Sequence, residues 1–205
     1  MQKFETFTAV AAPMLMPNID TDVIMPKQFL KRIDREGLAE GVFHDVRRTE
    51  DGVLREDFPL NQNRYRDAQI LLAGRNFGCG SSREHAVWGL LQSGIRVVIA
   101  PSFAGIFFGN CEKNGLLAIV LSEEETSRIA GMIKEAEQAD LTIDLERCVI
   151  GLPGGEQLRF EIEPTRRQNL LEGRDHIEAT LTMADRIRAF EAQHLTNHVW
   201  LEKHA

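Results

Sequence analysis

The chain has 205 residues, of which 43% are apolar, so it is long enough to bury a hydrophobic core without metals or disulfides. Its formal net charge of −7 and its isoelectric point near 5.4 produce a field that repels nucleic acids and acidic lipids. No stretch approaches the roughly 18 consecutive apolar residues that a membrane span needs. We therefore expect one domain over residues 1–205 that binds neither nucleic acid nor membrane.

Three cysteines, Cys79, Cys111 and Cys148, are too few and too widely spaced for a disulfide framework or a CxxC metal or redox motif. Their pattern is typical of reduced thiols in the cytosol. The N-terminal "MQKFETFTAVAAPMLMP" does not fit a secretory signal, because Glu5 accompanies the only early positive charge and Pro13 interrupts the apolar run. These features predict a cytoplasmic location.

The N-terminal third of the chain alternates short ordered segments with polar ones. Residues 4–12 suit a short strand, and "PNIDTDVIMP", from Pro17 to Pro26, predicts a polar loop that enters a short strand or helix. Residues 27–48 have only weak helical spacing. Residues 46–67 are the most polar part of the chain, so we expect them to form an exposed excursion.

The middle of the chain has a clearer pattern. "AQILLAG" at 68–74 predicts a strand, "EHAVWGLLQSG" at 84–94 a helix, and "IRVVIAP" at 95–101 a second strand. A short helical connection between two strands is typical of a βαβ unit, in which the strands are parallel. A short helix that stops at Gly115 and a further strand, "LLAIVL", are expected next.

In the C-terminal half, Ser122 and Glu125 have the spacing of a capping box, which predicts the start of an amphipathic helix. Short strands are expected around the "PGG" turn at 153–155, and mostly helix from residue 165 onward. The chain shows no internal repeat and no low-complexity linker. The whole pattern predicts an α/β fold.

A glycine-serine loop, "GRNFGCGSSREHAVWGL" at 74–90, lies between the predicted strand and helix. It fails the dinucleotide-binding pattern GxGxxG, because Arg83 stands where the third glycine should be, and it lacks the lysine of a Walker loop. What remains is a set of glycines that admit a ligand close to the main chain, unpaired amides near a helix N-terminus, and the Arg83 guanidinium. This combination favours a carboxylate or another small oxyanion.

The serines of this loop have two further interpretations. Ser81 and Glu84 have the S-x-x-E spacing of a helix capping box, whereas Ser82 has no such pairing. His85 is close enough in sequence to activate a nucleophilic serine, but the glycine-serine-glycine elbow of a hydrolase is absent. We expect His85 to pack or to hydrogen-bond beneath the loop.

Three co-linear segments carry a family resemblance: "NIDTDVIMPKQFLK" (18–31), "NFGCGSSREHA" (76–86) and "VVIAPSFAGIFFGN" (97–110). They resemble the small subunits of bacterial 3-isopropylmalate dehydratase, the stand-alone swivelling domains of the aconitase superfamily. The resemblance extends to "RFEIEPTRRQNLLEGRDHIEATL" (159–181). It implies a three-layer β/β/α fold that contains the βαβ unit.

The family resemblance also implies an activity. The enzyme is a hydro-lyase that isomerises 2-isopropylmalate to 3-isopropylmalate through isopropylmaleate, by dehydration and rehydration, in leucine biosynthesis. It is active only when the small subunit is joined by its large subunit. The same motifs are shared with relatives that act on citramalate and citraconate, on dimethylmalate or on homoaconitate, so these remain alternatives. A non-catalytic module that binds anions is a third hypothesis.

Matching the motifs residue by residue implies individual roles. Ser81 matches the catalytic base of the superfamily, and Arg83 matches a ligand of the substrate carboxylate. Ser82 lies beside both and is expected to donate a hydrogen bond to the substrate. Asp22 matches an acidic residue that supports the site. Support of the loop itself is expected from Gly78, Gly80 and His85.

Some positions near these motifs are less defined. Asp20 is explained equally well by an Asx-type turn. Superfamily members carry a further arginine downstream of the acidic residue, but the match is too loose there to assign that role to Arg32. The apolar residues between Phe29 and Phe43 are candidates for contacting the isopropyl group.

The resemblance places a [4Fe-4S] cluster on three cysteines of the large subunit. The present chain lacks the CxxC pair of the cluster-binding pattern. We therefore expect its three cysteines to be bystanders and no metal or cofactor to be bound by this chain.

Overall fold

The computed structural model describes residues 1–31 and 36–204, without the side chains of His176 and residues 202–204. Arg32, and Ile33 among the apolar candidates, therefore lie outside the described residues. Within these described residues, seven strands form one mixed sheet. They are β1 (Phe7–Met14), β2 (Ile70–Ala73), β3 (Val97–Ala100), β4 (Leu117–Val120), β5 (Asp140–Asp144), β6 (Val149–Gly151) and β7 (Gln157–Arg159).

The sheet has a parallel half and an antiparallel half that share β1. Its order is β4-β3-β2-β1-β5-β6-β7, with β1 to β4 parallel to one another and β5 to β7 antiparallel to their neighbours. Every residue of β2 and β3 is buried, as expected for continuous apolar strands covered on both faces. In β5, buried residues alternate with partly exposed ones, which fits a strand with one face near solvent.

The described residues form eight α-helices and five 3-10 turns, the latter at 27–31, 38–41, 59–61, 63–65 and 199–204. The helices are α1 (Thr21–Ile24), α2 (His44–Arg47), α3 (His85–Gln92), α4 (Gly105–Asn114), α5 (Glu123–Glu135), α6 (Pro164–Glu172), α7 (His176–Leu181) and α8 (Ala184–Asn197). Helix α5 packs across β1, β2 and β3.

Several sequence-based predictions are confirmed at this level. The segment β2-α3-β3 is a βαβ unit with parallel strands. Helix α4 ends at Gly115, whose φ of +83° is the left-handed conformation that glycine adopts readily. Helix α5 begins with the full capping box of Ser122 and Glu125. The first strand is Phe7–Met14 instead of residues 4–12, and its pairing with β5 ends at Phe7, opposite Ile143.

The long connection from β1 to β2 contains the segment 46–67. Val53 and Leu54 in this segment are exposed, whereas Phe58 and Tyr65 are buried in the core. The side-chain amide of Asn61 donates to two backbone carbonyl groups within the connection. The segment therefore combines exposed residues with aromatic side chains that hold it to the body of the protein.

The topology places two loops side by side. Strands β1 and β2 are parallel neighbours, so the chain leaves both of them at the same edge of the sheet. This carboxyl edge is where open α/β sheets bind their ligands. The segment containing Asp20 to Asp22 and the glycine-serine loop both start at this edge.

No described helix is both long and apolar enough to cross a membrane.

Candidate active site

The glycine-serine loop and the segment after β1 are joined by a short backbone ladder. The Gly78 amide donates to the carbonyl oxygen of Ile19, and the Thr21 amide donates to that of Cys79, each at 2.8 Å. Asp20 and Cys79 form the parallel bridge between these two bonds. The ladder continues the β1–β2 pairing beyond the strands and fixes the two motifs relative to one another.

The predicted site residues Asp22, Ser81 and Arg83 come together at the end of this ladder. One terminal nitrogen of the Arg83 guanidinium donates to the Asp22 carboxylate, and the other donates to Ser81 Oγ at 3.1 Å. Ser81 is exposed, while the side chains of Arg83 and Asp22 are 22% and 41% exposed. The cluster is open on one side and can be reached by a ligand.

Lys27 adds a positive charge that the sequence interpretation did not assign. Its ammonium group lies 3.9 Å from the second Asp22 oxygen, and its side chain is 76% exposed. Asp22 thus lies between two cations. The only signal in the sequence was its position five residues after Asp22, which by itself does not distinguish a site residue from a surface lysine.

The glycines of the loop have a definite steric reason. Gly78 is buried with φ +75°, and a Cβ at this position would overlap the ring of Phe107. Gly80 has φ +93° and is exposed, with Asp20 and Thr21 beside it. Residues with side chains are strained at such φ values. The loop can therefore turn beside α4 and present its main chain to solvent.

The interpretation of Ser81 and Glu84 as a capping box is wrong. Helix α3 begins at His85, its N-cap residue is Glu84, and no side chain caps it. The Glu84 carboxylate instead accepts a hydrogen bond from the Asn114 amide at 2.8 Å, and Asn114 in turn accepts one from Trp88 Nε1. The partner that withdraws Glu84 is 30 residues away in the sequence, so local spacing gave no sign of it.

The same finding changes the source of the free amides. Ser81 and Ser82 precede the helix by several residues, so the donors beside them belong to the loop and not to the first turn of α3. Within the described part of the chain, the backbone amides of Gly80 and Ser82 have no hydrogen-bond acceptor. They are available to an anionic group.

Neither His85 nor Ser82 forms a nucleophile pair. The His85 ring packs against Trp88 with 4.7 Å between ring centroids, and no hydrogen bond links it to either serine of the described loop. The Ser82 hydroxyl is exposed and makes no hydrogen bond among the residues described. This geometry disfavours the hydrolase interpretation.

Asp20 has a structural role. Its carboxylate accepts a hydrogen bond of 2.7 Å from the Val23 amide and so caps the short helix α1. The structure therefore favours a local structural role for Asp20, but as a helix N-cap whose bond reaches three residues on, and not as the Asx-type turn, whose bond reaches two.

The candidates for contacting an isopropyl group are corrected in part. Leu38, Val42 and Phe43 have no exposed surface and belong to the hydrophobic core, so they do not line an open site. Phe29 and Leu30 are half-buried and remain candidates. The family resemblance implied the whole segment and so did not separate core positions from pocket positions.

The cysteines do not form a metal site. Cys79 lies in the loop, Cys111 is buried in α4, and Cys148 lies just before β6. Burial raises the pKa of the Cys111 thiol far above its ordinary value, so this group stays protonated. Across residues 1–31 and 36–204, no group of three or more His, Cys, Asp or Glu is arranged to hold a metal.

Taken together, the arrangement offers a hydroxyl group held by a cation, two unpaired amides and an acidic partner for the cation. Such a set can bind a small carboxylate and stabilise negative charge on the serine oxygen.

Family models match most of the chain. The model of the aconitase C-terminal domain matches residues 1–124, and the model described as LeuD_N matches residues 132–164. The model of the C-terminal domain of the 3-isopropylmalate dehydratase small subunit matches residues 177–202.

Curated relatives match along nearly the whole length. The 3-isopropylmalate dehydratase small subunits of Rhodospirillum centenum and Paramagnetospirillum magneticum are each 51% identical, over 98% of this chain and 98% and 100% of theirs. The crystal structure of 3-isopropylmalate dehydratase (leuD) from Methanocaldococcus jannaschii matches with a TM-score of 0.63 and 26% identity. That match covers 91% of this chain and 99% of the other.

Proposed function

The chain belongs to the family of 3-isopropylmalate dehydratase small subunits, and we propose that it is the small subunit of a hydro-lyase that converts 2-isopropylmalate to 3-isopropylmalate through isopropylmaleate. This is an isomerisation by dehydration and rehydration in leucine biosynthesis. The main structural support for this proposal is that Asp22, Ser81 and Arg83 come together at the carboxyl edge of the sheet.

Ser81 is the catalytic base in this proposal. It takes the proton from the carbon next to a carboxylate, the carbon–oxygen bond to the hydroxyl breaks, and the electron pair of the C–H bond becomes the double bond of isopropylmaleate. In rehydration, the hydroxyl group of a water molecule adds to the carbon that lost the proton, and a proton is returned to the carbon that lost the hydroxyl group. A serine is a weak base unless its oxyanion is stabilised, and the Arg83 contact and the free amides of Gly80 and Ser82 supply that stabilisation.

Arg83 also holds a substrate carboxylate in this proposal. Its guanidinium is planar with five donors, so it can contact Ser81 and still present a donor pair to an acid. Asp22 orients this guanidinium, and Ser82, which has no partner among the described residues, donates to the substrate. Gly78 and Gly80 shape the loop, while His85 packs behind it.

The hydroxyl leaving group needs a Lewis acid that this chain does not supply, because its described cysteines and acidic residues do not fit a cluster. We propose that the large subunit holds a [4Fe-4S] cluster. The cluster would act as the Lewis acid that polarises the hydroxyl group. The small-subunit names of the relatives support such a partner. The same family membership supports a cytoplasmic location for the two-subunit enzyme.

The test is reconstitution without oxygen, with the large subunit of the same organism, while the absorbance of isopropylmaleate is followed. We expect turnover only when both chains are present. Ser81→Ala should abolish turnover while association with the large subunit, measured by size-exclusion chromatography, is retained. Ser93→Ala is the matched control, because Ser93 is exposed at the opposite end of α3.

Other outcomes point to the alternatives. Turnover of citraconate, dimethylmalate or homoaconitate in place of isopropylmaleate would move the assignment to a related hydro-lyase. Wild-type turnover by Ser81→Ala would remove the base assignment. A chain that binds small dicarboxylates, but supports no turnover with an intact large subunit, would be the non-catalytic module.

A further inference from the structure

Thr21 makes three hydrogen bonds to the glycine-serine loop. Its hydroxyl group donates to the carbonyl oxygen of Ser81 and accepts from the Ser81 amide, both at 3.1 Å. Its own amide donates to the carbonyl oxygen of Cys79 at 2.8 Å. One residue therefore contacts the loop at two positions and holds both polar groups of the Ser81 main chain.

The position of Thr21 explains why a side chain does this work. Asp20 caps α1, so the chain turns into a helix at Thr21 and no further backbone rung can form. The Thr21 hydroxyl supplies the next rung of the ladder in its place. Thr21 is 1% exposed, which keeps water from competing for these two hydrogen bonds.

We propose that Thr21 is a positioning residue for catalysis, which sets the direction of the Ser81 side chain by holding its backbone on both sides. This inference rests on the proposed role of Ser81 as the base. Fixing the amide and the carbonyl group of one residue fixes its φ and ψ, and these two angles determine where its Cβ and Oγ lie. Gly80, directly before Ser81, has no side chain to restrict its backbone angles, so the Ser81 main chain needs such a hold.

The arrangement also separates two tasks. Arg83 contacts Ser81 Oγ, where charge develops, whereas Thr21 contacts main-chain groups of Ser81 and Cys79 and not the Ser81 hydroxyl group. Loss of the Thr21 hydroxyl should therefore leave substrate binding by Arg83 nearly intact and misplace the base. A displacement of about 1 Å at a reacting group can cost on the order of 100-fold in rate.

The test compares Thr21→Val with Thr21→Ser in the reconstituted two-subunit enzyme. Valine keeps the branched shape and loses the hydroxyl, so we expect kcat to fall by about 30- to 100-fold while KM changes by less than about threefold. Serine keeps the hydroxyl and should retain kcat within about threefold. Equal kinetics for wild type and Thr21→Val would overturn the proposal, as would a serine variant no better than the valine variant.

Thr126→Val is the matched control for burial. Thr126 is also 1% exposed, and its hydroxyl donates to a backbone carbonyl group, that of Ser122, at 2.9 Å in α5. Both valine variants should lose similar thermal stability, but only Thr21→Val should lose kcat. A comparable loss of kcat in both would reduce the Thr21 effect to a general loss of structure.

A double-mutant cycle separates failure of this inference from failure of the proposed function. If Thr21 acts through Ser81, Thr21→Val adds no further loss to whatever residual rate Ser81→Ala retains. If Ser81→Ala keeps full turnover, the base assignment fails first. If Ser81→Ala abolishes turnover and Thr21→Val does not reduce it, the base assignment stands and the positioning role of Thr21 is refuted.

Discussion

At the scale of single residues, Arg83 makes two contacts at once that a lysine could not make together. Its guanidinium reaches the Asp22 carboxylate with one terminal nitrogen and Ser81 Oγ with the other. A lysine has a single ammonium group on a flexible stem, so it cannot hold both partners in one plane. The identity of the residue, and not only its charge, is therefore important at this position.

For Arg83→Lys we expect kcat/KM to fall by about 10- to 100-fold, because one charge-assisted hydrogen bond contributes about 1.5 to 3 kcal/mol. Both a lower kcat and a higher KM are expected, since Arg83 contacts Ser81 and, in the proposed function, also holds the substrate carboxylate. Steady-state kinetics of the reconstituted enzyme measure this. Arg128→Lys is the control. Arg128 lies on α5 and also pairs with a carboxylate, because its guanidinium contacts both oxygens of Glu156 at 2.9 Å. Unchanged kinetics in Arg83→Lys would remove Arg83 from the site.

At the scale of elements, two S-x-x-E sequences in this chain have different outcomes. Ser122 and Glu125 form a complete capping box, with the Glu125 amide donating to Ser122 Oγ and the Ser122 amide donating to the Glu125 carboxylate. Ser81 and Glu84 do not, because Asn114 takes the Glu84 carboxylate and Thr21 takes the Ser81 backbone. The pattern is thus effective only where no distant group competes for its members.

Ser122→Ala should lower the free energy of unfolding by about 1 kcal/mol near pH 7, the usual cost of losing an N-cap. Hydrogen bonds from the Ser122 hydroxyl and amide hold the pKa of Glu125 below its ordinary value. The contribution of ionised Glu125 is therefore present above its unfolded-state pKa of about 4.3 and is lost as the pH falls through the lower folded-state value.

The difference in stability between wild type and Ser122→Ala should accordingly shrink from pH 7 to about pH 3. Urea unfolding at a series of pH values measures it. Ser127→Ala, at an exposed interior position of α5, is the control and should be neutral or slightly stabilising. A difference that grows as the pH falls would contradict the role of the Glu125 carboxylate.

At the scale of the whole molecule, stability is concentrated in the sheet and the helices that cover it. None of the described side chains of α8 is buried, and the large apolar side chains of Phe190 and Trp200 are 65% and 67% exposed. Leu170 of α6, by contrast, is 1% exposed. The C-terminal segment therefore contributes little to the folding free energy of this chain.

Truncation after Thr182 should change the melting temperature of the isolated chain by no more than about 3 °C, because exposed residues contribute little individually. Leu170→Ala should cost about 2 to 5 kcal/mol, which corresponds to a drop of about 5 to 15 °C in a chain of this size. Differential scanning calorimetry compares the two. A truncated chain that melts far below the wild type would show that α8 stabilises the body of the protein.

The amino-acid sequence by itself determined the features that depend on neighbouring residues. The βαβ unit, the stop of α4 at Gly115 and the capping box at Ser122 follow from local periodicity and local chemistry. The three segments that carry the family resemblance could also be recognised in the sequence, because each is short and continuous.

Only the tertiary structure decided how those segments meet. The parallel pairing of β1 with β2 brings Asp22 to Arg83 across 61 positions, and Thr21 to Ser81 across 60. The tertiary structure also places Leu38 and Val42 in the core and joins the Glu84 carboxylate to the Asn114 amide by a hydrogen bond. Local spacing carries no information about such contacts, because they depend on which strands are neighbours and on which distant groups compete for the same hydrogen bond.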